Sequence, residues 1–158
     1  MKLHSLKLKN FRGYRDEINI VFDDLTVFVG KNDIGKSTIL EALDIFFNEG
    51  KGVIKIEKSD VNISEAHEGN QDTIISVCFK ELPERVVIDT TVETSLQSEF
   101  MVNAEGYLEV IKKYKNGGAP KVFIKANHPT NVNCAELLLK KNADLKRIIQ
   151  TEGIECES

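Results

Sequence analysis

The stretch Gly30-Lys31-Asn32-Asp33-Ile34-Gly35-Lys36-Ser37 restricts this chain more than any other. It fills every fixed position of the pattern G-x-x-x-x-G-K-[ST]. Glycines stand where a side chain would collide with a closely wrapped anion. Successive N–H groups then face one concavity. Such a loop needs a strand before it and a helix after it. Leu25-Thr26-Val27-Phe28-Val29 is an apolar run with β-branched content, which predicts a strand buried on both faces. After the loop the period changes. Ile39, Leu43 and Phe46 form one helical stripe, widened by Leu40 and Phe47, and the helix is predicted to end near Asn48. The chemistry implied is capture of nucleotide phosphates. Lys36 supplies a cation for the β- and γ-phosphates, and the Ser37 hydroxyl completes a Mg²⁺ shell.

Composition narrows the setting. At 158 residues the chain is about one ordinary domain, and 41% hydrophobic with 29% charged residues fits a globular class. The net charge of −4 excludes a protein that grips nucleic acid with its whole surface, though not one with a local basic patch. No apolar run is long enough to span a membrane, and the opening Met1-Lys2-Leu3-His4-Ser5-Leu6 lacks a signal-peptide core. Cys78, Cys134 and Cys156 are widely spaced and form no zinc pattern with His4, His67 or His128. They read as ordinary thiols of a reducing, cytoplasmic compartment.

Along the rest of the chain, Leu6 and Leu8 among lysines predict an opening half-buried strand, followed by a second through Ile18, Ile20 and Phe22. Residues 53–72 show no long element. Strands are predicted over 73–79 and 85–91. Two more are predicted around Asn116-Gly117-Gly118 as a hairpin, and a helix over 135–150. The fold class is α/β, a mixed sheet with one parallel core, an antiparallel wing and few helices.

Two segments together carry a family resemblance. Leu8-Lys9-Asn10-Phe11-Arg12-Gly13-Tyr14, placed about twenty residues before the Gly-Lys-Asn-Asp-Ile-Gly-Lys-Ser loop, resembles the start of RecF/SMC-type ABC ATPases. Among these it looks most like the overcoming-lysogenization-defect (OLD) endonucleases of phage defence. The resemblance implies a P-loop ATPase head lobe that binds ATP and Mg²⁺ through Arg12, Gly30, Asn32, Asp33, Ile34, Gly35, Lys36, Ser37 and Thr38. Arg12 would reach the phosphates, Asn32 would shape the loop, and Thr38 would contact the α-phosphate. It further implies that two heads clamp on ATP as a homodimer and regulate a DNA-acting nuclease.

Other parts of that family pattern are absent. The nearest candidate for an Asp-Glu strand end is Val86-Val87-Ile88-Asp89, but Thr90 stands where Glu is needed. No signature motif, lid glutamine or nuclease carboxylate cluster is found, so no catalytic residue is assigned. Residues 1–150 therefore read as the N-terminal lobe of a longer protein, with 151–158 at its edge. A complete small NTPase or kinase, and a non-catalytic nucleotide-binding module, are the rival readings. Residues 105–150 carry nine basic and four acidic side chains, a local excess of +5 that includes Lys112, Lys113, Lys115, Lys121 and Lys125. A DNA-backbone surface is one reading of them, and a solvated face is the other. Phe46, Phe47 and Phe100 are expected in the core, and Tyr14 is a candidate neighbour of the base.

Overall fold

The structure, a computed structural model, describes residues 1–30, 35–48, 51–89, 92–127 and 140–154. The chain divides into two compact units, Met1–Ala126 and Asn127–Ser158.

The first unit is built on a five-stranded sheet in the order β2-β1-β3-β6-β7, where β1 is Lys2–Lys9, β2 Ile18–Val21, β3 Asp72–Lys80, β6 Leu108–Lys115 and β7 Pro120–Lys125. Every pairing in it is antiparallel. Strands β4 (Val86–Asp89) and β5 (Val92–Thr94) form a separate antiparallel ribbon. The ribbon therefore carries Asp89 outside the main sheet. The hairpin between β6 and β7 turns at Asn116 and Gly117, with φ of 56° and 72°. That is the left-handed pair an Asn-Gly turn favours.

Helix α1, Lys36–Asn48, lies on one face of this sheet. Its stripe of Ile39, Ala42, Ile45 and Phe46 packs with Leu6, Leu8, Ile75 and Val77 into one core, joined by Phe11, Phe22 and Tyr114. Each fully buried aliphatic or aromatic side chain there contributes about 1.5–3 kcal/mol. Phe47 and Phe100 depart from the expected core. They are 53% and 50% exposed, while Phe46 is buried as expected.

The other face of the sheet is polar at its centre. Register aligns Ser5, Cys78, Glu109 and Lys125 in one row. Glu109 is buried and accepts from Lys7 at 2.7 Å, Ser76 at 3.3 Å and Asn103 at 3.1 Å. Burial alone would raise its pKa, but Lys7, Asn103 and Lys125 outweigh it and hold the carboxyl below its usual range. Burial pushes the neighbouring Cys78 thiol up.

Residues 25–29 correct a sequence expectation. Their backbone forms no strand ladder among the described residues. Leu25, Val27 and Val29 are 83%, 69% and 90% exposed. Phe28 alone among the large side chains turns inward, edge-on to Phe22 with centroids 6.4 Å apart. A strand buried on both faces needs cover on both, and the described residues cover only the Phe28 side.

The segment 53–72 is short turns: a 3₁₀ turn over Lys58–Asp60 and α2 over Ile63–His67, capped by the Asn62 side chain on the Ser64 N–H. In the second unit, α3 spans Asn142–Glu152 and closes at Gly153 in the left-handed conformation. It begins later than the sequence predicts, because Lys141 is extended and takes the N-cap position. Asp144 in the first turn suits that helix start. Residues 135–139 of the predicted helix lie outside the described residues.

Candidate functional site

Gly30 and Gly35 bracket the phosphate-loop pattern, while Lys31, Asn32, Asp33 and Ile34 lie outside the described residues. Gly35 has φ +79°, a left-handed value natural to glycine. It also has no room for a side chain, since a Cβ there would lie 2.7 Å from the Tyr14 hydroxyl. Tyr14 Oη in turn donates to the Gly35 carbonyl at 3.4 Å. Tyr14, a candidate neighbour of the base in the sequence, stands against the backbone of Gly35. Lys36 opens α1 and its Nζ donates to the Gly30 carbonyl at 2.5 Å, so the cation folds back toward the residue that opens the pattern. Ser37 and Thr38 follow in the first turn, with Ser37 exposed.

The electrostatics of α1 suit an anion at its start. Its first turn holds no acidic residue and its last turn no basic one, so the positive N-terminal end is left uncompensated by the helix itself. The C-terminal end is served from β6. Lys112 is buried and donates to the Phe46 carbonyl at 2.9 Å, 4.9 Å from the Phe46 ring centroid. This corrects the sequence reading of Lys112 as part of a surface patch. Register puts Lys112 opposite Ile75, on the core side of the sheet. Two further members of that patch meet carboxylates: Lys113 lies 2.8 Å from Asp72, and Lys125 3.9 Å from Glu109.

Arg12 sits in the two-residue turn between Phe11 and Tyr14, whose N–H groups and carbonyls exchange bonds at 2.9 Å. Its φ is 50°, and its N–H donates to the Asp60 carbonyl at 2.6 Å. The side chain is neither a loose surface arginine nor unengaged. Nε donates to Asp60 Oδ1 at 2.7 Å, and Nη1 donates to Glu41 of α1. Burial alone would lower its pKa, but the two carboxylates outweigh it and keep the guanidinium firmly charged.

Asn10 holds that turn in place. It is fully buried with φ 52°. Its Nδ2 donates to the carbonyls of Asn70 and Asp72 at 3.3 and 3.2 Å, and its Oδ1 accepts the Asn62 N–H at 3.0 Å. Asn62 returns a bond from Nδ2 to the Arg12 carbonyl at 2.6 Å. Sequence reasoning missed Glu41, Asp60 and Asn62 because they come from two separate segments, α1 and the turns at 58–62, with no motif between them. An open cleft of about 490 Å³ adjoins this cluster, lined by Arg12, Gly13, Ser59, Asn62 and Ile63 among others.

The residues fit a nucleotide polyphosphate: a glycine with no space for a Cβ, a folded-back lysine, and an uncompensated helix N-terminus. Among the described residues no group of three or more His, Cys, Asp or Glu could hold a metal ion. A Mg²⁺ here would draw its ligands from Ser37, phosphate oxygens and water, which is its usual habit. Also among the described residues, no helix is long and apolar enough to cross a membrane.

The fold is mixed α/β, an antiparallel sheet with few helices, and it matches the fold of ABC-type P-loop ATPase heads. The structural match that carries this is an SMC ATPase solved in a study of ATP-driven dimerization and DNA-stimulated activation. It has a TM-score of 0.52 at 15% identity and covers 95% of this chain and 92% of that one. The SMC head domain of Thermotoga maritima and a RecF–ATP structure also match, at TM-scores of 0.46 with 20% and 18% identity. They cover 80% and 82% of this chain, and 38% and 29% of theirs.

The AAA ATPase domain family model matches residues 1–158, and the chain belongs to that family. It is a nucleotide-binding domain. Uncharacterized proteins of Mycobacterium tuberculosis and Mycobacterium bovis are 39% identical over 75 residues, and that stretch is 45% of this chain and 8% of theirs.

Proposed function

We propose that this chain binds ATP·Mg²⁺ as one lobe of an ABC-type ATPase head. The observation that carries the reading is the convergence at the start of α1. Lys36 bends back to the Gly30 carbonyl, and Glu41 ties the Arg12 guanidinium to the same helix. Arg12, Gly30, Asn32, Asp33, Ile34, Gly35, Lys36, Ser37 and Thr38 form the phosphate site in this reading, with Ser37 on the metal. The cleft beside Arg12 receives the base, with Ile63, 74% exposed, as an apolar face for it.

Residues 1–150 act as the first lobe. The outward-facing Leu25, Val27 and Val29 are the surface a second lobe covers, and that lobe supplies the catalytic groups not assigned here. Turnover then needs the complete head and its homodimer. The Asn-Phe-Arg strand end and the Asp-Ile loop pair support an OLD-like role, in which ATP regulates a DNA-acting endonuclease of repair or phage defence in the cytoplasm. The basic side chains Lys115, Lys121, Lys140, Lys141, Lys146 and Arg147 are the candidates for DNA contact.

Titration calorimetry with Mg²⁺-ATP tests the site. Binding that Lys36→Ala abolishes is expected. Equal binding by the folded Lys36→Ala variant refutes the phosphate-loop reading.

A further inference from the structure

We propose that Glu41 is a displaceable latch on Arg12 and Asp60 its fixed seat, so that a phosphate group takes Glu41's place on the guanidinium. The proposal rests on the phosphate-loop reading above. The two carboxylates differ in how they are held. Asp60 is 8% exposed, and three of its acceptors are engaged: Oδ1 by Arg12 Nε, Oδ2 by the Glu57 N–H at 2.8 Å, and the carbonyl by the Arg12 N–H. Moving it would break the turn that sets Arg12. Glu41 has no such ties. It projects from the second turn of α1, its side chain is 28% exposed, and among the described residues its partner is Arg12.

A guanidinium between two carboxylates already carries a local excess of negative charge. Adding a phosphate would set three anions around one cation, and repulsion is relieved by releasing the one that can reach water. Glu41 can do so by rotating about its side-chain bonds. The fork geometry of arginine accepts phosphate in a carboxylate's place without moving the seat. Glu41 and Asp60 are therefore positioning residues of opposite effect. Glu41 holds nucleotide affinity down, and Asp60 holds it up.

Mg²⁺-ATP titration of the chain and its variants separates these roles, with thermal melts checking that each is folded. Glu41→Gln is expected to tighten binding at least about fivefold, and Asp60→Asn to weaken it. Glu41→Asp, with its charge kept but its reach shortened, is expected to tighten it too, and serves if the glutamine variant does not fold. In an Arg12→Gln background, Glu41→Gln is expected to change nothing. Unchanged or weaker binding by both Glu41 variants overturns the latch while leaving Lys36-dependent binding intact. An equal gain in the Arg12→Gln background also overturns it, by assigning the effect to general charge removal. If the folded wild-type chain shows no binding that depends on Lys36, the phosphate-loop reading itself fails and the latch falls with it.

Discussion

Asn10 allows a sharp test of what holds the Arg12 turn. Its side chain makes three hydrogen bonds, all to backbone groups and all from a fully buried position. Truncation to alanine leaves two carbonyls and one N–H without that partner. At roughly 1 kcal/mol each, the loss is about 3 kcal/mol. The φ of 52° adds to it, because alanine tolerates left-handed backbone less well than asparagine, by about 1 kcal/mol. Asn10→Ala is therefore expected to cost about 3–4 kcal/mol. Asn10→Gly loses the same bonds but fits the backbone, and is expected to be less damaging than alanine by about 1 kcal/mol. Asn10→Asp keeps shape and backbone preference but aims a carboxylate at two carbonyls, so it should be the worst of the three at neutral pH and recover as pH falls. Urea unfolding reads all three. With a slope of about 2 kcal/mol per molar, the alanine midpoint should drop by about 1.5–2 M. An alanine cost below about 1 kcal/mol, or an aspartate variant as stable as wild type, would refute this account of the turn.

Two further tests address packing and charge. Gly35→Ala forces a Cβ toward the Tyr14 hydroxyl, 2.7 Å away, at φ +79°. It is expected to cost about 2 kcal/mol in urea unfolding, part of it returned by Tyr14→Phe in the double variant; strictly additive losses would mean that Tyr14 is not the obstacle. The Glu109 carboxyl is held below its usual 4.5, so its ionised form stabilises the fold above that pH, and the contribution is lost as pH falls through the folded value. Glu109→Gln should therefore be less stable than wild type by about 1–2 kcal/mol at pH 7. The gap should close below pH 4.5, and one that stays constant down to pH 3 would sink the argument.

What the sequence discloses here follows the range of each physical signal. Helix α1 and the Asn116-Gly117 hairpin depend on neighbours in the chain, and their local chemistry is legible: a 3.6-residue stripe and an Asn-Gly pair. Residues 25–29 mislead because an apolar run reports that cover is wanted, not where it comes from. Lys112 misleads for a related reason. Five charged residues near one turn look like a surface, yet the cross-strand register turns Lys112 onto the core face, where the end of α1 needs a cation. The partners of Arg12 were illegible altogether. Glu41 and Asp60 lie 29 and 48 residues away, and only the tertiary fold brings them to one guanidinium.

The tip of the β6–β7 hairpin has a consequence for anyone who wishes to label or split this chain. Hairpin tips are ordinarily the most forgiving places for an insertion. This one is walled in: a Cβ on Gly117 would lie 2.3 Å from the Glu57 carbonyl carbon, in the segment that leads to Asp60. Extra residues there would push on the seat of Arg12, which lies at the same end of the sheet. Gly106 faces open space. A tag or fluorophore belongs at that turn, where the chain can lengthen away from the residues that hold Arg12.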